Sequence, residues 1–403
     1  MSRKSLFSII GPGAIIAAAF IGPGTIGLCT KSGLTFGYDL LWVMLIAIAG
    51  TYILQEITVR MALVTDKGIL EAIGMLIHHS GIKRVFYLSI FIAILIGNTA
   101  FEAGNIAGGA IGLDLLAREP LPILQYSPIF IGIFAALLLI IGQYKTIERV
   151  LIVMVTLMSI AFLITAILTL PNLIELFKGF VPSTPAGSFY TIVGLIGTTI
   201  VPYNLFLHSS SVREKWKGIT SLKAARRDAF IAIFVGGLVS ISVIIAAAAA
   251  QGSGFDKPQD LAIALVPLFG ESARYFLGIG LFAAGITSAI TAPLAAAYVG
   301  REVFGWDQGM KHPLFRLVWI IVLGTGVFFA STGIKPLEVI QFAQFLNGLL
   351  LPFIAIVLFW GINQKSIMGN YTNSIGQNIG AGLIILFTLF ISLKTFIHLF
   401  SAV

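Results

Sequence analysis

Segments of roughly 20 residues with almost no charge recur along the whole length of this chain, and that recurrence constrains the fold more than any other feature. About 20 apolar residues are what an α-helix needs to cross the hydrocarbon core of a bilayer. A soluble domain carries about a quarter charged residues. Here 10% of 403 residues are charged, 58% are hydrophobic and the mean hydropathy is +1.00. Polar groups cannot cover such a surface, so lipid is the outer solvent and the fold class is an all-α integral membrane protein.

Eleven spans are expected: Ser8–Lys31, Gly37–Val64, Val85–Leu113, Pro128–Gln143, Glu148–Leu170, Phe189–Ser210, Ala229–Ala250, Ala273–Val299, Leu317–Ser331, Pro336–Trp360 and Ile379–Phe400. With the N-terminus placed in the cytoplasm, 17 of the Lys and Arg residues fall inside and 6 lie in the opposite loops and rims. Positive residues favour the cytoplasmic side, so the N-terminus is expected inside and the C-terminus outside a cell membrane. The formal net charge of +8 is then a topological anchor facing anionic lipid, with no nucleic-acid partner implied. The opening Met1-Ser2-Arg3-Lys4 runs into an apolar stretch holding Gly11-Pro12-Gly13 and is followed by further spans, so no cleavable signal peptide is expected. Cys29 is the only cysteine, which excludes a disulfide framework and a thiolate metal cluster.

Residues 1–403 read as one transmembrane domain. The first and sixth spans are each interrupted near the middle, at Gly22-Pro23-Gly24-Thr25 and at Val201-Pro202-Tyr203-Asn204. Matching interruptions point to two inverted five-span halves, about 8–170 and 187–360, with a substrate site at the breaks and an extra helix over about 379–400. Pro removes a backbone donor and Gly permits non-helical angles. The freed amides and carbonyls must then face protein or a watery cavity, because lipid cannot satisfy them.

Two carboxylates lie well inside spans. Glu56 shares a helical face with Arg60, which reads either as a structural ion pair or as a gate. Glu102 has no basic neighbour at helical spacing, and Asn98 and Asn105 fall on its face. Such a carboxyl can bind a proton or a cation. His208, after the second break, reads either as a buried neutral imidazole or as a proton relay. His78 and His79 read as solvated, and Gln344 and Asn347 either tie helices together or line the cavity. No nucleophile–base pair, phosphate loop or His/Cys metal cluster is present, so no enzyme and no cofactor are expected.

These residues resemble the Nramp family of proton-coupled divalent-metal transporters nearly end to end. Gly11-Pro12-Gly13 with Ile21-Gly22-Pro23-Gly24-Thr25 looks like that family's first span, whose break usually reads Asp-Pro-Gly-Asn. Gly197-Thr198-Thr199-Ile200-Val201-Pro202-Tyr203-Asn204-Leu205-Phe206-Leu207-His208-Ser209 looks like its sixth, usually Met-Pro-His-Asn-Leu-Tyr-Leu-His-Ser. Further matches are Phe36-Gly37-Tyr38 with Leu41-Trp42, Leu63-Val64-Thr65, Ala284-Gly285-Ile286-Thr287-Ser288, and Gln344 before Pro352-Phe353. The resemblance implies a LeuT-type fold of ten core helices.

The departures change the expected chemistry. The family's metal-binding aspartate falls on Gly22, its asparagine on Thr25, its methionine on Val201, the next histidine on Tyr203, and a glutamine of the eighth span on Ile286. In the third span Asp-Leu-Ala-Glu becomes Glu102-Ala103-Gly104-Asn105. Only the Thr198 carbonyl and Gln344 carry over as ligands, with Glu102 as a third candidate for a metal. Thioether sulfur favours transition metals, so its loss argues against manganese or iron, whereas a hydrated magnesium-like ion is easier to hold. The sequence therefore predicts a transporter working by alternating access, with a metal cation as cargo and protons as a coupled ion. Gly22, Thr25, Thr198, Val201, Tyr203 and Gln344 are expected to line the site, while Glu102, Glu56 and His208 are the candidate charge or proton groups. A carrier of a small organic solute such as an amino acid, and a transport-inactive sensor or scaffold, are the alternatives. No obligate protein partner is evident.

Overall fold

Pro23 opens the first helix of the structure, a computed structural model that describes residues 21–117, 122–142, 145–252, 254–255, 257–306 and 312–401. Proline's fixed φ suits the first helical position, where its missing N–H has no intrahelical partner to lose. The helix runs Pro23–Phe36 (α1) and stops at Gly37, whose φ of 58° a side chain would resist. Residues 8–20 of the first expected span, with Gly11-Pro12-Gly13, lie outside the described residues.

The chain continues through Leu41–Thr65 (α2), Ser80–Leu116 (α3), Ser127–Ile141 (α4), Lys145–Leu168 (α5), Phe189–Thr199 (α6) and Pro202–Lys215 (α7). It ends with Leu222–Ala248 (α8), Ala273–Phe304 (α9), Pro313–Ala330 (α10), Pro336–Ile362 (α11) and Ile375–Ser401 (α12). Among the described residues, 10 stretches are long and apolar enough to cross a membrane. α6 and α7 together make one of them, as expected for a broken span. Several boundaries moved: α8 starts at Leu222 instead of Ala229, α9 ends at Phe304 instead of Val299, and α10 starts at Pro313 instead of Leu317. α3 extends beyond the expected Val85–Leu113 because the exposed His79 caps it, accepting from the Ile82 N–H at 3.4 Å. The second break is Ile200-Val201 alone, while Pro202, Tyr203 and Asn204 already form the first turn of α7.

Lipid offers no hydrophobic drive between helices, so close backbone packing has to bind them. α3 is the scaffold for this. A Cβ on Gly285 of α9 would stand 2.6 Å from the Cα of Gly109 on α3, and one on Gly278 would stand 2.8 Å from the Gly112 carbonyl. Gly108 of α3 leaves room for the Pro23 ring, and Gly104 faces Ala343 of α11. Successive glycines of one helix thus seat α9, α1 and α11. The outward faces stay apolar; Ile140 is 67% exposed and Leu386 65%.

Loop contacts define two sides. Arg213 at the end of α7 pairs with Glu302 at the end of α9 at 3.8 Å, and Glu302 accepts from the Leu70 N–H at 3.1 Å. Arg60 of α2 reaches the Tyr371 carbonyl at 3.1 Å, which sets the 363–374 connection near the same end. On the other side Trp42 donates from Nε1 to the Ser183 carbonyl at 3.0 Å, and the Gly252 N–H reaches the Leu34 carbonyl at 2.9 Å.

Candidate substrate site at the paired helix breaks

Both breaks consist of uncharged residues, and the structure brings them together. Gly22 sits before α1 with φ −86° and ψ 175°, an extended link. Val201 plays the same part before α7, with φ −88° and ψ 116°. Thr25 in the first turn of α1 and Thr198 in the last turn of α6 face each other, with their hydroxyl oxygens 2.9 Å apart and both residues buried. Gln344 of α11 lies against both halves. Its side chain fills the space over Gly24, and its backbone carbonyl fills the space beside Gly197. The Gln344 Oε1 is buried without a hydrogen-bond partner. A buried amide oxygen left open is costly in a finished core and useful where a ligand is received.

Val201 and Tyr203 stand on the other flank of the break. They pack with Phe101, Leu207, Ala292 and Ala295 in a small apolar cluster, and the Tyr203 and Phe101 rings meet edge to face at 5.2 Å. Tyr203 is fully buried, and its hydroxyl lies toward Thr291 without a well-formed hydrogen bond.

Glu102 sits apart from this arrangement. Its stem presses on Gly326 of α10, and the residue is fully buried. Asn105 donates to its Oε2 at 3.2 Å, as the shared helical face suggested, and Oε1 has no partner. Asn98 turns instead to the Ala292 carbonyl at 2.8 Å. The neighbour of Glu102 on α3, Phe101, packs on the Tyr203 ring at the flank of the second break.

Glu56 pairs with Arg60 at 3.0 Å, and also with Arg226 of α8 at 2.6 Å. His208 places Nδ1 2.6 Å from the Gln55 Oε1, and its Nε2 is buried and unpartnered. Gln55 and Arg226 escaped sequence reasoning because both contacts join residues more than 150 positions apart. The run of buried, unpartnered polar atoms along α7, at Asn204, His208, Ser209 and Ser210, was equally hidden. Ile286, where the resemblance puts a glutamine, is buried and apolar.

Among the described residues no group of three or more His, Cys, Asp or Glu is placed to hold a metal ion. What the breaks offer is hydroxyl, amide and carbonyl oxygen.

The sequence model of the Nramp family, natural resistance-associated macrophage protein-like, matches residues 13–398. The chain belongs to this family. It is 27% identical to a divalent metal cation transporter MntH of Staphylococcus saprophyticus, over 99% of this chain and 93% of that relative. It is 26% identical to the metal transporter Nramp3 of Oryza sativa, over 97% of this chain and 74% of the relative. Nramp relatives are transporters, and this chain is a multi-pass membrane transporter rather than an enzyme. Its fold is that of a solved Eremococcus coleocola manganese transporter, with a TM-score of 0.75 at 19% identity, covering 98% of this chain and 88% of that one. The amino-acid-bound MhsT structure, in complex with L-phenylalanine, shares the architecture at a TM-score of 0.60 and 15% identity, over 94% of this chain and 98% of that one. The LeuT-type inverted repeat with broken first and sixth helices is therefore the fold of this Nramp protein.

Proposed function

We propose that this Nramp protein moves a metal cation across the cell membrane by alternating access, holding it at the paired breaks through neutral oxygens. The observation that carries the reading is Gln344, which touches both breaks and keeps an unpartnered amide oxygen there. Thr25, Thr198 and the carbonyls around Gly22 complete an oxygen set without sulfur or carboxylate. Carbonyl and hydroxyl oxygens suit hard ions, and a partly hydrated ion of the magnesium type tolerates a site that does not strip its water. The metal cargo named for the relatives supports the class of cargo, while Gly22 and Val201 argue for a different member of that class.

An approach path supports the same site. A cleft of about 380 Å³ is lined by Leu28, Lys31, Tyr190, Gln341 and Phe345. Leu28 and Gln341 lie three residues from Thr25 and Gln344, so the cleft floor is one helical turn from the break. We place this cleft on the outer side and the Arg60–Arg213 end on the cytoplasmic side, following the bias of Lys and Arg, with the C-terminus outside. The half-repeats are assigned to about 8–170 and 187–360. Glu102 is the proposed proton site.

Uptake into proteoliposomes tests the reading. Magnesium, manganese and a panel of amino acids are supplied in turn, with lumenal pH followed. A metal should enter while amino acids do not, and Glu102→Gln should abolish lumenal acidification. Entry of an amino acid alone would make the protein an organic-solute carrier. Acidification that persists in Glu102→Gln would remove that residue from the proton path.

A further inference from the structure

A second built site lies on the basic side, away from the breaks. A cleft of about 390 Å³ opens between α2, α8 and α12, lined among others by Glu56, Arg60, Arg226, Asn373, Gly376 and Gln377. Two guanidinium groups share one carboxylate there, so the charged lining sums to one positive charge. Arg60 is turned inward: its Nη1 and Nη2 bond Glu56, the Tyr371 and Thr372 carbonyls, Gln377 and Asn373, and its Nε is buried. Arg226 is not. Its Nε and Nη2 hold the Glu56 Oε1 at 2.7 and 2.6 Å, and its side chain is 36% exposed.

The cleft also has a direction. Phe230 and Phe234 follow Arg226 at four-residue steps on the same face of α8, each 50% exposed, with their rings stacked at 5.9 Å. Tyr52 of α2, which lines the cleft, meets the Phe230 ring edge-on at 5.4 Å. Opposite them α12 presents Gly376 and Gly380, then Leu383 at 61% exposure. Arg226 thus stands at a cleft lined by Tyr52, Gly376 and Gly380, and the exposed Phe230 and Phe234 rings continue from it along the same face of α8.

We infer that this cleft binds the phosphate headgroup of an anionic phospholipid of the inner leaflet, with an acyl chain laid along Phe230 and Phe234. Arginine recognises phosphate through charge-assisted N–H bonds, and a net positive cleft attracts anionic lipid. A free phosphate would use Arg226 alone and leave the apolar track empty. A lipid occupies both, and it would tie α12, the helix outside the repeat, to α2 and α8.

The test uses purified full-length protein in neutral detergent, with thermal unfolding followed as phosphatidylglycerol, phosphatidylcholine or inorganic phosphate is added. Phosphatidylglycerol should raise Tm, while the other two should not. Arg226→Gln should weaken the phosphatidylglycerol response about fivefold or more. Gly376→Leu should do the same without touching an ion pair, because a Cβ there meets nothing within 4 Å and the side chain would fill the cleft. That second variant decides the matter if the first does not fold. Lys217→Gln, exposed on the same side, should leave the response unchanged. A wild-type response in both cleft variants overturns the proposal, and so does an equal loss in Lys217→Gln, which marks diffuse attraction. A full response to inorganic phosphate also overturns it, making the cleft a soluble-anion site.

Discussion

Gln344 is where single residues decide most. Its side chain and Gly24 occupy adjoining space, so a methyl group at Gly24 must displace the amide. Gln344→Ala and Gly24→Ala should each lower uptake about tenfold, and the double variant should be little worse than either, because both remove one contact. Initial rates of uptake in proteoliposomes measure this. Lys31 separates cargo classes. Its Nζ holds the Gln341 Oε1 at 2.5 Å in the cleft above the break. A fixed positive charge there repels a cation and attracts a carboxylate. Lys31→Gln should therefore lower the KM for a metal ion; a raised KM for an amino acid is the signature of the other class. At this scale the resemblance singled out candidate positions in the sequence, yet it did not show their partners. That Thr25 faces Thr198 is a pairing across 173 positions, and no local spacing encodes it. Glu102 illustrates the converse. Its lack of a cation partner was legible from helical spacing, but its seat against Gly326, rather than at the breaks, depended on where α10 packs.

At the level of elements, glycine on α3 governs the assembly. Gly285→Val would drive a branched side chain into the Gly109 backbone and part α3 from α9. Overpacking of this kind costs about 1–3 kcal/mol or more. The variant should unfold at a clearly lower temperature in detergent, whereas Gly382→Val on α12, where a Cβ meets nothing within 4 Å, should not. The broken helices were readable because proline and glycine interrupt long apolar runs, a local signal. The exact break at Ile200-Val201 was not, because Pro202 serves equally well as the first residue of the next helix as it does in an interruption. The start of α3 was misjudged for a similar reason: a histidine cap leaves no mark on hydropathy.

For the molecule as a whole, topology is open to direct measurement. Cys29 is the only cysteine and is fully buried, so Cys29→Ser should yield a folded background free of thiols. In whole cells, a membrane-impermeant maleimide should label Lys178→Cys from outside and leave Lys365→Cys unlabelled until the membrane is opened. The reverse pattern would invert the assigned orientation. The all-helical class was legible from hydropathy alone, since every span must satisfy its own backbone in lipid. The neutrality of the two breaks has an electrical consequence. A carrier whose site holds a fixed carboxylate moves part of that charge with every conformational swing, loaded or empty. Here the breaks themselves have none, so the charge that the empty return carries through the field is set by the proposed proton site, Glu102, neutral when protonated and charged when not. Each elementary charge on the cargo then gains or loses about 2.3 kcal/mol for every 100 mV across the membrane. The membrane potential would bias the loaded step, drawing cations toward the negative interior, and would resist or assist the return according to whether Glu102 has given up its proton.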